Sequence, residues 1–318
     1  MRSADLDSRR RHRGFSLIEL IVALTLGVIV LGAAMGYLFR EMRSLAGSEI
    51  RQSVSRNGRY IGISLRHDIQ KAGIDIENTS VFGTLKTWPG DHGDTLVVLH
   101  VPYQPEPAPL HPLVPPPGTD DPLTGDGTCG TRCLDLLTDP SAPLEIEPGD
   151  LARLQVRATR RLIMIDDVVE TTDTTFQVTF TEAPQILRQA AGLSGDLQLT
   201  RTGTFVQKLA PVIYYVDGEQ QLHRAVLLNL DGSPDGDILA YGVDRFDVKL
   251  VFFDGDELDQ ANPEDTDDSN DYDDIVAVRV SVTVVADRVD PRVNAGQLVK
   301  RDYEWTIAPR NLRYQRNR

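Results

Sequence analysis

Residues 15–39 read FSLIELIVALTLGVIVLGAAMGYLF, and their only formal charge is Glu19. About 20 apolar helical residues cross the hydrocarbon core of a bilayer, so this run is long enough for one span. The apolar part of a cleaved secretory signal is shorter, roughly 7–15 residues, and carries no acid. In front of the run, Arg2, Arg9, Arg10, Arg11 and Arg13 outweigh Asp5 and Asp7. That basic flank predicts an N-terminus held in the cytoplasm. The 318-residue chain has a formal net charge of -14, so its acid excess lies wholly beyond Gly14. Such a body argues against nucleic acid as a partner, because phosphate binding needs clustered Lys and Arg. A carboxylate inside a span costs roughly 2.5–3.5 kcal/mol on insertion scales and tends to serve function. A cut between Gly14 and Phe15 would create an α-amine, a cation as poorly solvated in lipid as the Glu19 anion. In a bundle of like helices the two would satisfy each other.

Arg13-Gly14-Phe15-Ser16-Leu17-Ile18-Glu19-Leu20, behind a basic leader and ahead of an apolar run, resembles the prepilin leader motif of type IV pilins and type II secretion pseudopilins. The resemblance implies that prepilin peptidase cuts after Gly14 and that Phe15 is N-methylated. Residues 1–14 are then a leader, 15–39 a transmembrane helix, and Glu19 an assembly residue. It also implies a single-pass protein of the inner membrane, with a cytoplasmic N-terminus and a periplasmic globular domain. From there the chain would pass into a filament, with other minor and major pilins as partners of its helix. Gly32-Ala33-Ala34-Met35-Gly36 is a small-xxx-small pattern suited to close helix contact.

Past Phe39 the polar content rises but the helical period continues. Met42, Leu45, Ile50, Val54, Ile61, Leu65, Ile69 and Ala72 step mostly by three or four. Gly47 and Gly58 read as weak points, and Gly73 as a stop signal. One helix from Phe15 to Gly73 would be about 88 Å long, with 40–73 as its amphipathic half. Strand signals follow at Thr95–Val101, 162–165, 175–181, 205–216, 221–228, 243–253, 275–286 and 302–308. One helix followed by strands predicts an α+β fold, the long helix packed on an antiparallel β-sheet domain of residues 74–318. Proline-rich 102–140 and acidic 254–274 read as inserted loops.

Val212-Ile213-Tyr214-Tyr215-Val216-Asp217-Gly218, Leu222-His223-Arg224, Tyr241-Gly242-Val243 and Pro309-Arg310-Asn311-Leu312 are similar to PilW-type minor pilins and, next, to J-type minor pseudopilins. The resemblance implies a structural subunit of the initiating or tip complex of a type IV pilus. A minor pseudopilin of a type II secretion system is the alternative. A membrane-tethered periplasmic enzyme or binding module is the second.

An exported domain meets an oxidising compartment, where Cys129 and Cys133 are expected to pair. Their three-residue spacing is not that of a thioredoxin-like redox site. Eleven of the residues in Asp254–Asp274 are acidic and none is basic. Calcium takes oxygen ligands from flexible loops, which makes Asp265 and Asp267 candidates. Asp231, Asp235 and Asp237, spaced with Gly232 and Gly236, form a second candidate set. No cofactor is required by any motif. The six His show no metal-helix pair, and neither a G-x-S-x-G elbow nor a P-loop occurs, so the chain is not read as an enzyme.

Overall fold

The computed structural model describes residues 16–103, 106–114, 128–130, 132–139, 144–187, 203–263, 269–289 and 294–312. Helix α1 spans Leu17–Ile69. Ser16 caps it, and the Glu19 carboxylate accepts the Ser16 backbone N–H at 3.0 Å, closing a capping box. The helix ends one turn before the expected stop. Gln70 caps it, and Gly73 supplies a positive φ of 73° in the turns that follow.

Residues 17–45 of α1 are exposed throughout, and packing starts at Gly47. The apolar stripe therefore begins later than its period suggests. Met42 and Leu45 are exposed, whereas Ile50, Val54, Ile61, Leu65 and Ile69 are buried. They cover two antiparallel sheets. The first contains β1 (Leu85–Trp88), β2 (Thr95–His100), the C-terminal half of β8 (Thr204–Val216), β9 (Gln221–Leu228) and β10 (Pro234–Tyr241), adjacent in that order. The second has the order β12 (Glu257–Leu258), β11 (Val243–Phe252), β13 (Ile275–Val285), β14 (Lys300–Ile307). Strand alternation turns Phe246, Val248, Leu250 and Phe252 into one core with Leu96, Val98, Val212 and Tyr214 beneath the helix. Gly242 joins the sheets at φ 69°. A Cβ there would lie 2.3 Å from the Val285 carbonyl oxygen, so only glycine fits.

Within 102–140, expected as an inserted loop, two short strands occur, β3 (His111–Pro112) and β4 (Cys133–Leu137), and they join strands expected further along the chain. The N-terminal half of β8 pairs with β5 (Leu151–Val156), which continues through β6 (Thr159–Thr172) and β7 (Thr175–Glu182) to β4. The short β3 pairs with the other side of β8. It reaches β4 through a Leu113–Leu136 bridge and a Val114 N–H donated to the Asp135 carbonyl at 2.8 Å. The ring closes, and Leu134, Leu136, Leu154, Ile163, Val178 and Val206 fill its interior. Closure removes the free edges that an open sheet would expose. β3 is two residues long and ends on a proline, and β4 is five residues long behind a proline-rich stretch, so neither gives a strand signal of its own within 102–140.

Candidate functional site

The exposed arm of α1 is the first element of the site. Among the described residues it is the one helix long and apolar enough to cross a membrane, with a mean hydropathy of 2.5 over its most apolar window and none of that window buried. Glu19 lies in its first turn, so its carboxylate has a local task that spacing alone did not suggest: it holds the capping box. The Ser-x-x-Glu signature of Ser16 and Glu19 carried that information. Gly14 and Phe15 lie outside the described residues. A Cβ on Gly27, Gly32 or Gly36 would meet nothing within 4 Å.

The second element is the clamp that fixes the arm to the domain. β14 runs alongside α1 in the same direction. A Cβ on Gly58 would sit 2.2 Å from the Tyr303 ring, and one on Gly62 would sit 2.7 Å from Trp305. The two rings stack at 5.6 Å between centroids. The glycine read as a weak point is thus half of a notch that admits an aromatic pair. In the last turn of the helix, Asp68 is fully buried. It accepts from the Tyr214 hydroxyl at 2.5 Å and from the Arg224 guanidinium at 2.7 and 3.1 Å. Burial pushes the Asp68 carboxyl up, but the hydrogen bonds from Arg224 and Tyr214 and the Arg224 charge outweigh it, and the net direction is down. Tyr214 and Arg224 move in the matching directions: the phenol is held protonated and the guanidinium charged.

A depression of about 380 Å³ lies past the helix end, lined by Lys71, His100, Tyr103, Glu106, Glu145 and Lys208. Both of its lysines are engaged. Lys208 pairs with Asp150 at 2.7 Å, and Lys71 leans toward Asp68 at 3.7 Å. The His100 Nδ1 is buried without a hydrogen-bond partner, and burial lowers its basicity.

Cys129 and Cys133 are joined as a disulfide beside β4. Of the acidic candidates, Asp231, Asp235 and Asp237 are not gathered round a common point. The Asp231 carboxylate accepts from the Ser233 N–H at 2.9 Å and from its hydroxyl at 2.6 Å, closing a turn. Asp235 and Asp237 have become part of β10, in register with Leu227 and Arg224. Ladder pairing from Pro234 onward straightens the stretch that would have had to curl round a cation. Asp265 and Asp267 lie outside the described residues. Among the described residues no three His, Cys, Asp or Glu side chains come together where a metal ion could sit.

Compared with known families, residues 9–35 match the prokaryotic N-terminal methylation motif. The match supports a type IV pilin-like family and a substrate of prepilin peptidase. No curated protein and no solved structure matches the chain.

Proposed function

We propose that this chain is a minor pilin, a structural subunit of the complex that initiates or tips a type IV pilus. Prepilin peptidase acts on it between Gly14 and Phe15, Phe15 is methylated, and the exposed arm of α1 carries it from the inner membrane into the filament. The observation that carries this reading is the methylation motif at residues 9–35, running without a break into a helix whose far half is clamped to a β domain. Chemistry is done to the chain, not by it, and the role needs no cofactor. The Glu19 carboxylate has two tasks in this account. It caps its own helix, and it meets the Phe15 amine of a neighbour in lipid, where neither charge is solvated.

N-terminal sequencing of assembled protein tests the reading. Methylated Phe15 is the expected first residue; an intact Met1 in filaments overturns it. Glu19→Ala is expected to leave the domain folded and the helix inserted while incorporation falls, and normal incorporation rejects the pairing.

A further inference from the structure

Between Ile50 and His67, α1 contains Arg51, Arg56, Arg59 and Arg66 and no acid. All four are exposed, and none is ion-paired to a described residue. Arg51, Arg56 and Arg59 line one open groove on the side of the helix that turns away from the sheets, together with Tyr60 and Ile63, which are 55% and 68% exposed. A second element adds to this face: Arg301 of β14 donates to the Ser55 hydroxyl at 2.9 Å. The nearest acid on the helix, Glu49, faces Arg288 at 3.7 Å. Four cations and two apolar side chains thus stand together on a chain whose net charge is -14.

Distance decides what can cover them. The apolar run ends at Phe39, and Arg51–Arg59 lie 12 to 20 residues further on. At 1.5 Å per residue that is roughly 18–30 Å beyond the hydrocarbon. Headgroups extend only about 5–8 Å, so even a strongly tilted helix holds these arginines clear of lipid. At that height lipid cannot reach them, and a protein surface that complements them carries negative charge. This chain shows where such a surface lies on a subunit of its kind. Gly58, Gly62 and Gly73 face Tyr303, Trp305 and Leu312 in turn, so β14 and the helix run away from the membrane together. Val278 pairs with Ile307, and Ile275 with Phe252 lies further out still. The exposed Asp254 and Asp256 that follow Phe252 therefore sit at the membrane-distal edge of the second sheet. A neighbour shifted toward the membrane by on the order of 20 Å brings that acidic turn level with Arg51–Arg59.

We propose that Arg51, Arg56, Arg59 and Arg301, with Tyr60 and Ile63, form a docking face for the acidic turn at the membrane-distal edge of the second sheet of a neighbouring pilin-like subunit. The inference rests on the assembly reading above. The contact is heterologous, basic side to acidic turn, and so extends along a filament without closing. Replacing Arg51, Arg56 and Arg59 together by Glu sets like charges against each other across the interface. Incorporation into sheared filaments is then expected to fall at least about tenfold. The triple Lys variant retains it. The amine introduced by Arg59→Lys also permits zero-length carbodiimide coupling in intact filaments, and mass spectrometry is expected to find it joined to an Asp or Glu of another subunit. Processing and membrane insertion of the Glu variant serve as the folding control. Wild-type protein absent from filaments sinks the assembly reading and this proposal with it. Wild-type protein present, with the Glu variant incorporated equally well, overturns the docking face alone.

Discussion

Gly58 and Gly62 would ordinarily be liabilities, since glycine in a helix interior costs roughly 1 kcal/mol relative to Ala. Here the missing Cβ atoms make room for Tyr303 and Trp305. Gly58→Ala gains helix propensity but overpacks a ring at 2.2 Å, and overpacking costs about 1–3 kcal/mol. Thermal melting of the detergent-solubilised chain is expected to show a net loss of about 1–2 kcal/mol. Gly36→Ala, with open space around it, is expected to show none. Asp68 sets the other residue-scale expectation. Asp68→Asn leaves the half-buried Arg224 without a counter-charge and costs about 3 kcal/mol at neutral pH. The sign with pH follows from the depressed carboxyl. The stability that Asp68 contributes is complete above its unfolded pKa, near 3.9, and is lost as pH falls through the lower folded value. The melting difference between wild type and variant should be flat from pH 7 to about pH 5 and shrink below pH 4. A difference that grows on acidification rejects the assignment.

Among the elements, the Cys129–Cys133 loop and the ring of strands illustrate two scales of constraint. A disulfide closing five residues removes at most about 2 kcal/mol of chain entropy from the unfolded state. Loss of the bridge in Cys129→Ser with Cys133→Ser is therefore expected to lower the melting temperature only slightly. Proteolysis around residues 120–140 should accelerate instead, because the bridge sits at the start of β4 and not in the main core. Non-reduced peptide mapping that finds two free thiols in exported protein refutes the pairing. The β3–β4 contact that closes the ring is small, so its stability comes from the buried Leu134, Leu136, Leu154 and Ile163 inside. β8 belongs to both the ring and the sheet under α1, which ties the inserted module to the helix through one continuous strand.

For the molecule as a whole, charge is divided between a basic helix face and an acidic body. Self-repulsion of a chain at -14 is relieved by screening, so monovalent salt is expected to raise the melting temperature modestly. Calcium coordination by the acidic loop is a separate proposal with its own readout. If calcium is bound, melting rises further in millimolar calcium than in sodium chloride at matched ionic strength, as for a ligand bound only to the native state. Asp265→Asn with Asp267→Asn should then cancel the excess. Equal shifts in both salts reject coordination.

Local chemistry was enough to read the apolar run, the leader motif, the single long helix and most strands. Each of these depends on neighbours in sequence: hydropathy over 25 residues, a period of 3.6, or an alternation of two. The α+β class followed from the order of those elements. What determined how the arm is held was invisible at that range. Gly58 meets Tyr303 across 245 positions, and Asp68 meets Arg224 across 156. Nothing in the local pattern of a glycine or a buried-face aspartate states its partner. The ring of strands was hidden for a related reason: β3 is two residues long and defined entirely by what it bridges. The grouping of arginines was legible as a run without acids, but its role as a free face depended on which side of α1 the sheets cover, and only packing decides that.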